Sequence, residues 1–189
     1  MVCLWLATGS FLVPGSAIPA QAGYEEGVAA YSRGDWRTAF AEWEPLARTG
    51  NASAQNNLGL LYKYGRGVER DLKRAVEWYR RAAEQDHAVA QFNLGLMYDN
   101  GLGVTQDFEA AARWFRLAAD KDVARAQTFL GMMYWAGKGV SKDRSLALFW
   151  TTIAADRGDE LAQRNKKIFV REMTEIEIDR SEEMIGQSR

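Results

Sequence analysis

The chain has 189 residues, of which 47% are hydrophobic and 26% charged, and its formal net charge is −1. That balance excludes a disordered chain and gives no electrostatic reason to expect nucleic acid or an anionic membrane surface as a partner. A single histidine and a single cysteine leave no ligand set for a His/Cys metal centre.

Residues Met1 to Ala22 carry no Lys, Arg, Asp or Glu. An apolar run from Val2 to Val13 leads through Pro14 and Pro19 to Ala20-Gln21-Ala22. Small residues at −3 and −1 suit a signal peptidase, so residues 1–22 are expected to be a signal peptide cleaved after Ala22, although no basic n-region precedes the run. The alternative is a buried N-terminal helix, which Gly9, Pro14, Gly15 and Pro19 disfavour. Cleavage would remove Cys3 and leave a thiol-free mature chain, periplasmic or secreted. Lipid attachment at Cys3 has almost no hydrophobic segment before it. No internal segment is apolar enough to span a bilayer, so no stable membrane insertion is expected after cleavage.

The next stretch, 23–53, is predicted to be a helix pair with a tight Arg33-Gly34-Asp35 turn. Its markers are Gly27, Ala30, Tyr31, Trp36, Ala39, Trp43, Leu46 and Gly50. Three units then repeat at a period of 36 residues, 54–89, 90–125 and 126–161, with thirteen identities in register. The first of them holds Ala54-Gln55, Leu58-Gly59, Tyr62, Gly65, Gly67-Val68, Asp71, Ala75, Trp78 and Ala82-Ala83. From Ala39 to Gly59 is 20 positions, as is Ala75 to Gly95, so unit one keeps the spacing between units and has a shorter inner loop.

Each unit is expected to form two helices. Leu58, Leu61 and Tyr62 share one face of the first, with Gly59 on that face to let a neighbour approach. Gly65 is expected to end the helix in a left-handed residue, and Asp71 to cap the second helix. Ala75, Trp78 and Ala82 form the apolar stripe of that second helix, which predicts core packing for Trp78, Trp114 and Trp150. After residue 161 the pattern breaks: Ala162-Gln163 stay in register but Lys167 replaces the glycine. Thr174 with Glu177 predicts a capping box, and 162–189 a C-terminal cap and frayed tail.

The 36-residue pattern of Ala-Gln, Leu-Gly, Tyr, Gly-x-Gly-Val, Asp, Ala, Trp and Ala-Ala resembles the Sel-one-like repeat (SLR), a relative of the tetratricopeptide repeat. The first unit resembles a plain tetratricopeptide repeat. The resemblance implies an all-α, right-handed α-α solenoid of four helix pairs with a C-terminal capping helix. It further implies a protein-protein interaction scaffold or adaptor of the bacterial cell envelope, with no catalytic role and no cofactor. Regulation of a membrane-bound partner is a special case of that expectation. Some cysteine-rich relatives suggest the alternative of a cell-wall or β-lactam-directed hydrolase, but this chain lacks their cysteine pairs and any Ser-x-x-Lys motif.

Sequence motifs for catalysis are otherwise missing. The Gly-x-Gly segments follow helices rather than strands and lack the third glycine of a dinucleotide fingerprint. His87, between two units, is expected beside a helix cap. In tetratricopeptide-like stacks the first helices line the concave face, so positions there that vary between units are the candidate partner-binding residues. They are Asn56, Lys63, Tyr64, Phe92, Asp99, Asn100, Arg125, Thr128 and Trp135, taking a protein or peptide segment. Trp135 is read two ways, as a binding anchor or as a residue packed on the C-terminal cap.

Overall fold

The computed structural model describes residues 18–187. Most of the predicted signal segment, residues 1–17, lies outside the described residues, and Ile18 to Ala22 belong to the first helix. Ten helices and no strand occur among the described residues. They are α1 (Ile18–Ser32), α2 (Trp36–Arg48), α3 (Ala52–Tyr64), α4 (Leu72–Glu84) and α5 (Ala88–Asn100), followed by α6 (Phe108–Ala119), α7 (Ala124–Ala136), α8 (Arg144–Asp156), α9 (Glu160–Glu172) and α10 (Glu175–Gln187). Each helix from α1 to α9 packs on its neighbours in the chain, which produces a solenoid of four helix pairs.

The turn chemistry follows the repeat. Gly65, Gly101 and Gly137 close α3, α5 and α7 at φ of 65°, 65° and 69°. Asp71, Asp107 and Asp143 then accept hydrogen bonds from the backbone N–H groups of Arg74, Ala110 and Leu146 at the starts of α4, α6 and α8. The second glycine of each Gly-x-Gly has another task. A Cβ at Gly67, Gly103 or Gly139 would lie within 2.3 Å of the carbonyl oxygen of Trp36, Leu72 or Phe108, the first residue of the second helix one unit back. Each loop thus rests on the preceding unit.

Inside a unit, the glycine of the first helix receives a ring from the second. A Cβ at Gly59 would sit 2.6 Å from the Tyr79 ring, and one at Gly95 would sit 2.6 Å from the Phe115 ring. The predicted tryptophans do pack on the core clusters, but at their edge and not at the glycine. Tyr79, Phe115 and Thr151 are the fully buried residues, whereas Trp78, Trp114 and Trp150 beside them are half-buried. The shift of one residue moves the tryptophans to the flank of the helix, where Trp78 bridges the core clusters of two successive units and carries the Arg81 guanidinium on its ring.

The Ala-Gln pair supplies a polar rung at each junction. The side-chain amides of Gln55, Gln91 and Gln127 donate to the carbonyls of Ala47, Ala83 and Ala119 at the end of the previous second helix. Their side-chain oxygens accept from Gln85, Lys121 and Arg157 at the end of their own unit. These buried glutamines are therefore satisfied on both sides, as a low-dielectric site requires.

At the C-terminus the cap comprises two helices rather than one. The capping box forms as expected: the Thr174 N–H donates to Glu177, and the Glu177 N–H donates to the Thr174 hydroxyl. Lys167 is exposed and stands at the register that glycine occupies in the other units. Accordingly α10 does not complete a fifth pair; it packs on α8, where the Ser145 hydroxyl donates to the Glu177 carbonyl.

Candidate functional site

Repetition places the first helices side by side, so each presents one stripe to solvent while the rest of its surface meets a neighbour. On α5 that stripe is Val89, Asn93, Leu96 and Asn100, at spacings of four, three and four residues. Its ends are open, with Val89 49% exposed. The equivalent stripe on α3 ends in Tyr64, 53% exposed, and that on α7 begins with Arg125 and passes Phe129 and Met132. The result is a band of mixed apolar and amide character.

Of the nine predicted positions, Tyr64, Asn100 and Arg125 lie exposed on this band. Asn100 donates to its own helix at Leu96, and Arg125 reaches towards Asp159 at 3.9 Å. Lys63 is half-buried with its ammonium over the Tyr64 ring.

The other five are turned into the molecule. Thr128 is fully buried and its hydroxyl donates to the Ala124 carbonyl, so it is withdrawn from any partner. Asn56 is buried too, and accepts from the Asn93 side chain across the α3–α5 junction at 2.9 Å. Phe92 packs with Phe115 and Phe129, ring centres 5.8 and 5.7 Å away, inside the aromatic contact between units. Asp99 is paired with Lys138 of the next unit at 3.0 Å. Trp135 lies parallel to Phe169 of α9 at 4.0 Å, with the Arg144 guanidinium on its ring. Of the two readings of Trp135, the geometry places it on the cap.

The physical reason is the width of the buried arc. A first helix is covered by its own second helix and by the second helix of the preceding unit, with side-chain contacts to neighbouring first helices such as Asn56–Asn93 and Phe92–Phe129. Positions 56 and 128 fall inside that arc and position 92 at its edge, and one residue on Asn57, Asn93 and Phe129 are half-buried. Positions 99 and 135 point along the stack into the next unit's loop and the cap, whereas the Lys63 ammonium lies over Tyr64 of its own helix. Variation between units there reflects different junction partners rather than a ligand.

His87 caps α5 directly: its Nδ1 accepts the Ala90 N–H, while Nε2 lies 3.5 Å from the Ser53 hydroxyl. Burial holds its imidazole below the ordinary histidine pKa. The same register carries Asn51, Val123 and Asp159; Asn51 and Asp159 cap their helices, and Val123 has no side chain able to do so. Burial likewise pushes the Tyr79 hydroxyl far up, and it has no hydrogen-bond partner among the described residues. Neither group sits in a cluster that suggests chemistry. Among the described residues, no group of three or more His, Cys, Asp or Glu could hold a metal ion, and no helix is long and apolar enough to cross a membrane.

The repeat arrangement has clear counterparts. The Sel1 repeat family model matches residues 52–87, 88–123 and 124–159, each starting at the first residue of α3, α5 or α7. A Sel1 repeat protein from Oxalobacter formigenes is 36% identical with a TM-score of 0.73, over 77% of this chain and 60% of that one. The c5321 protein of uropathogenic Escherichia coli, a protective antigen displaying an SLR fold, is 36% identical with a TM-score of 0.72, over 76% of this chain and 32% of that one. This chain thus spans less than two thirds of either protein. Cysteine rich protein B of Helicobacter pylori shares the fold at 19% identity and a TM-score of 0.50, over 79% of this chain and 96% of that one. No curated protein sequence gives a match. Sel1 repeats usually mediate protein interactions and are generally non-catalytic scaffolds. With three matched repeats covering more than half of its length, the chain belongs to the Sel1 repeat family.

Proposed function

We propose that the chain is a non-catalytic scaffold of the bacterial cell envelope that holds a protein or peptide segment along the solvent stripe of its first helices. The observation that carries the proposal is the composition of that stripe. Val89 and Tyr64 are exposed apolar surface, Leu96 on α5 and Met132 on α7 are half-buried, and Asn93, Asn100 and Arg125 add hydrogen-bonding and charge. A ridge of apolar side chains flanked by amides suits an extended or helical segment, with aromatic and aliphatic anchors giving affinity and the polar groups fixing register. The export part rests on Ala20-Gln21-Ala22 and the uncharged run before it.

Pull-down from envelope extracts tests the surface. A Tyr64→Ala, Val89→Asp double variant is expected to lose the partner while keeping the wild-type melting temperature. Phe92→Ala, by contrast, is expected to lower stability because it opens the junction between units. Partner recovery unaffected by the folded double variant would remove this stripe from consideration. Mass analysis of the purified mature chain tests export, with Gly23 expected as the first residue.

A further inference from the structure

The structure leaves one first helix without a second. In each of the four pairs the second helix lies on the face that carries the glycine, but α10 packs on α8 and leaves that face of α9 open. A groove of about 580 Å³ results, lined by Ala155, Asp156, Gln163, Lys166, Lys167, Val170 and Arg171. One unit earlier, the equivalent Ala119 and Gln127 lie beside Phe149, Trp150 and Ile153 of α8. The groove thus has the shape that receives a helix elsewhere in the molecule, but its walls carry three cations against the single carboxylate of Asp156.

The complementary surface is on the same end of the chain. α9 carries four cations against two acids, and α10 carries five acids against one cation. The outward side of α10 presents Ile176, 81% exposed, with Asp179 and Glu183 on the same stripe at spacings of three and four. Val170 in the groove is 40% exposed. None of Lys166, Lys167, Arg171, Asp179 and Glu183 forms an ion pair among the described residues.

We infer that the C-terminal end is a homodimer interface, in which the open basic face of α9 receives the acidic outer face of α10 from a second copy. Because both elements flank α8, a two-fold axis makes the contact twice, α9 to α10 and α10 to α9, as an isologous interface requires. The 13-residue helices are about 20 Å long. Two such contacts place the interface near the lower end of specific interfaces, about 1,200 Å². The dimer is therefore weak and, being held largely by exposed charge, sensitive to salt. It is separate from the first-helix stripe, and either assignment stands if the other fails.

Sedimentation velocity of the full chain over a wide concentration range, at low and high salt, tests this. Dimerisation is expected at low salt and its loss at high salt. Two charge-reversed proteins are then compared: Lys166→Glu with Lys167→Glu, and Asp179→Lys with Glu183→Lys. Each alone is expected to be monomeric, because the α9 groove and the outward stripe of α10 that would meet then carry like charge. Mixed one to one, they are expected to form the dimer again, since both contacts in the mixed pair join opposite charges. Should a charge-reversed protein fail to fold by circular dichroism, Ile176→Ser replaces it as a neutral change at an exposed site, with loss of the dimer again expected. A wild-type chain that stays monomeric at low salt overturns the inference. So does a dimer that survives either reversal or the Ile176 change, or a mixture of folded variants that stays monomeric.

Discussion

Replacing Gly139 and Gly158 by alanine separates two roles that a conserved backbone geometry hides. Both residues are left-handed, at φ of 68° and 86°. Alanine in that region costs about 1–2 kcal/mol at either site. The surroundings differ. Nothing lies within 4 Å of a Cβ at Gly158, whereas a Cβ at Gly139 would be 2.1 Å from the Phe108 carbonyl oxygen and 2.3 Å from its carbon. Those are backbone atoms in the first turn of α6, so relief requires the loop between α7 and α8 to lift off the preceding unit. Overpacking of this kind adds about 1–3 kcal/mol. Gly158→Ala is therefore expected to cost about 1–2 kcal/mol and Gly139→Ala about 2–5 kcal/mol. Urea unfolding followed by far-ultraviolet circular dichroism measures both. Because a solenoid is stabilised by nearest-neighbour contacts, the Gly139 variant is also expected to broaden the transition as the last unit and cap separate from the rest. Equal losses at the two sites, with unchanged transition width, would refute the claim that these loops hold successive units together.

Two further outcomes follow from the buried polar groups. Tyr79→Phe is expected to raise stability by about 1 kcal/mol, because it removes an unpartnered hydroxyl and reproduces the Phe115 packing found one unit on; a loss in thermal or urea unfolding would show that the hydroxyl has a partner. His87 gives a pH dependence of defined sign: its folded pKa is depressed below the unfolded value of about 6.5, so its contribution is complete above that pH and falls as the unfolded chain takes up the proton first. Urea midpoints measured from pH 7 downward should therefore drop more for wild type than for His87→Asn, a variant that keeps a cap worth about 1 kcal/mol without titrating, and parallel profiles would count against the cap.

The sequence made the architecture legible because its signals are local. Gly65, Asp71 and Thr174 with Glu177 act on backbone groups a few residues away, and their spacing alone names a helix end, a helix start and a capping box. Gly59 was legible as a close approach, but the partner of that approach was not. The repeat contains an invariant Trp next to a variable Tyr79, Phe115 or Thr151, and identity favours the Trp. Burial goes instead to the variable residue, because the glycine needs only something that fits against it, and ring or hydroxyl will do. The period shows which residues correspond; it is silent on which of two adjacent residues points inward.

The same ambiguity governs the candidate site, with a consequence for reading repeats generally. A variable position in a fixed frame signals a ligand only if the position faces solvent. In a solenoid a second class of position varies as freely, because each junction need only be complementary to itself. Asp99 pairs with Lys138, Trp135 with Phe169, and Asn56 with Asn93, so each of these positions meets its partner in the next unit or the cap. From a single unit these residues look like specificity determinants. Positions that vary without a matching residue one period on, such as Val89 and Tyr64, are the ones that remain for a partner. The open face of α9 extends the argument: Lys167 at the glycine register marks where the internal match ends, and the acidic charge that complements α9 is carried on the outside of α10.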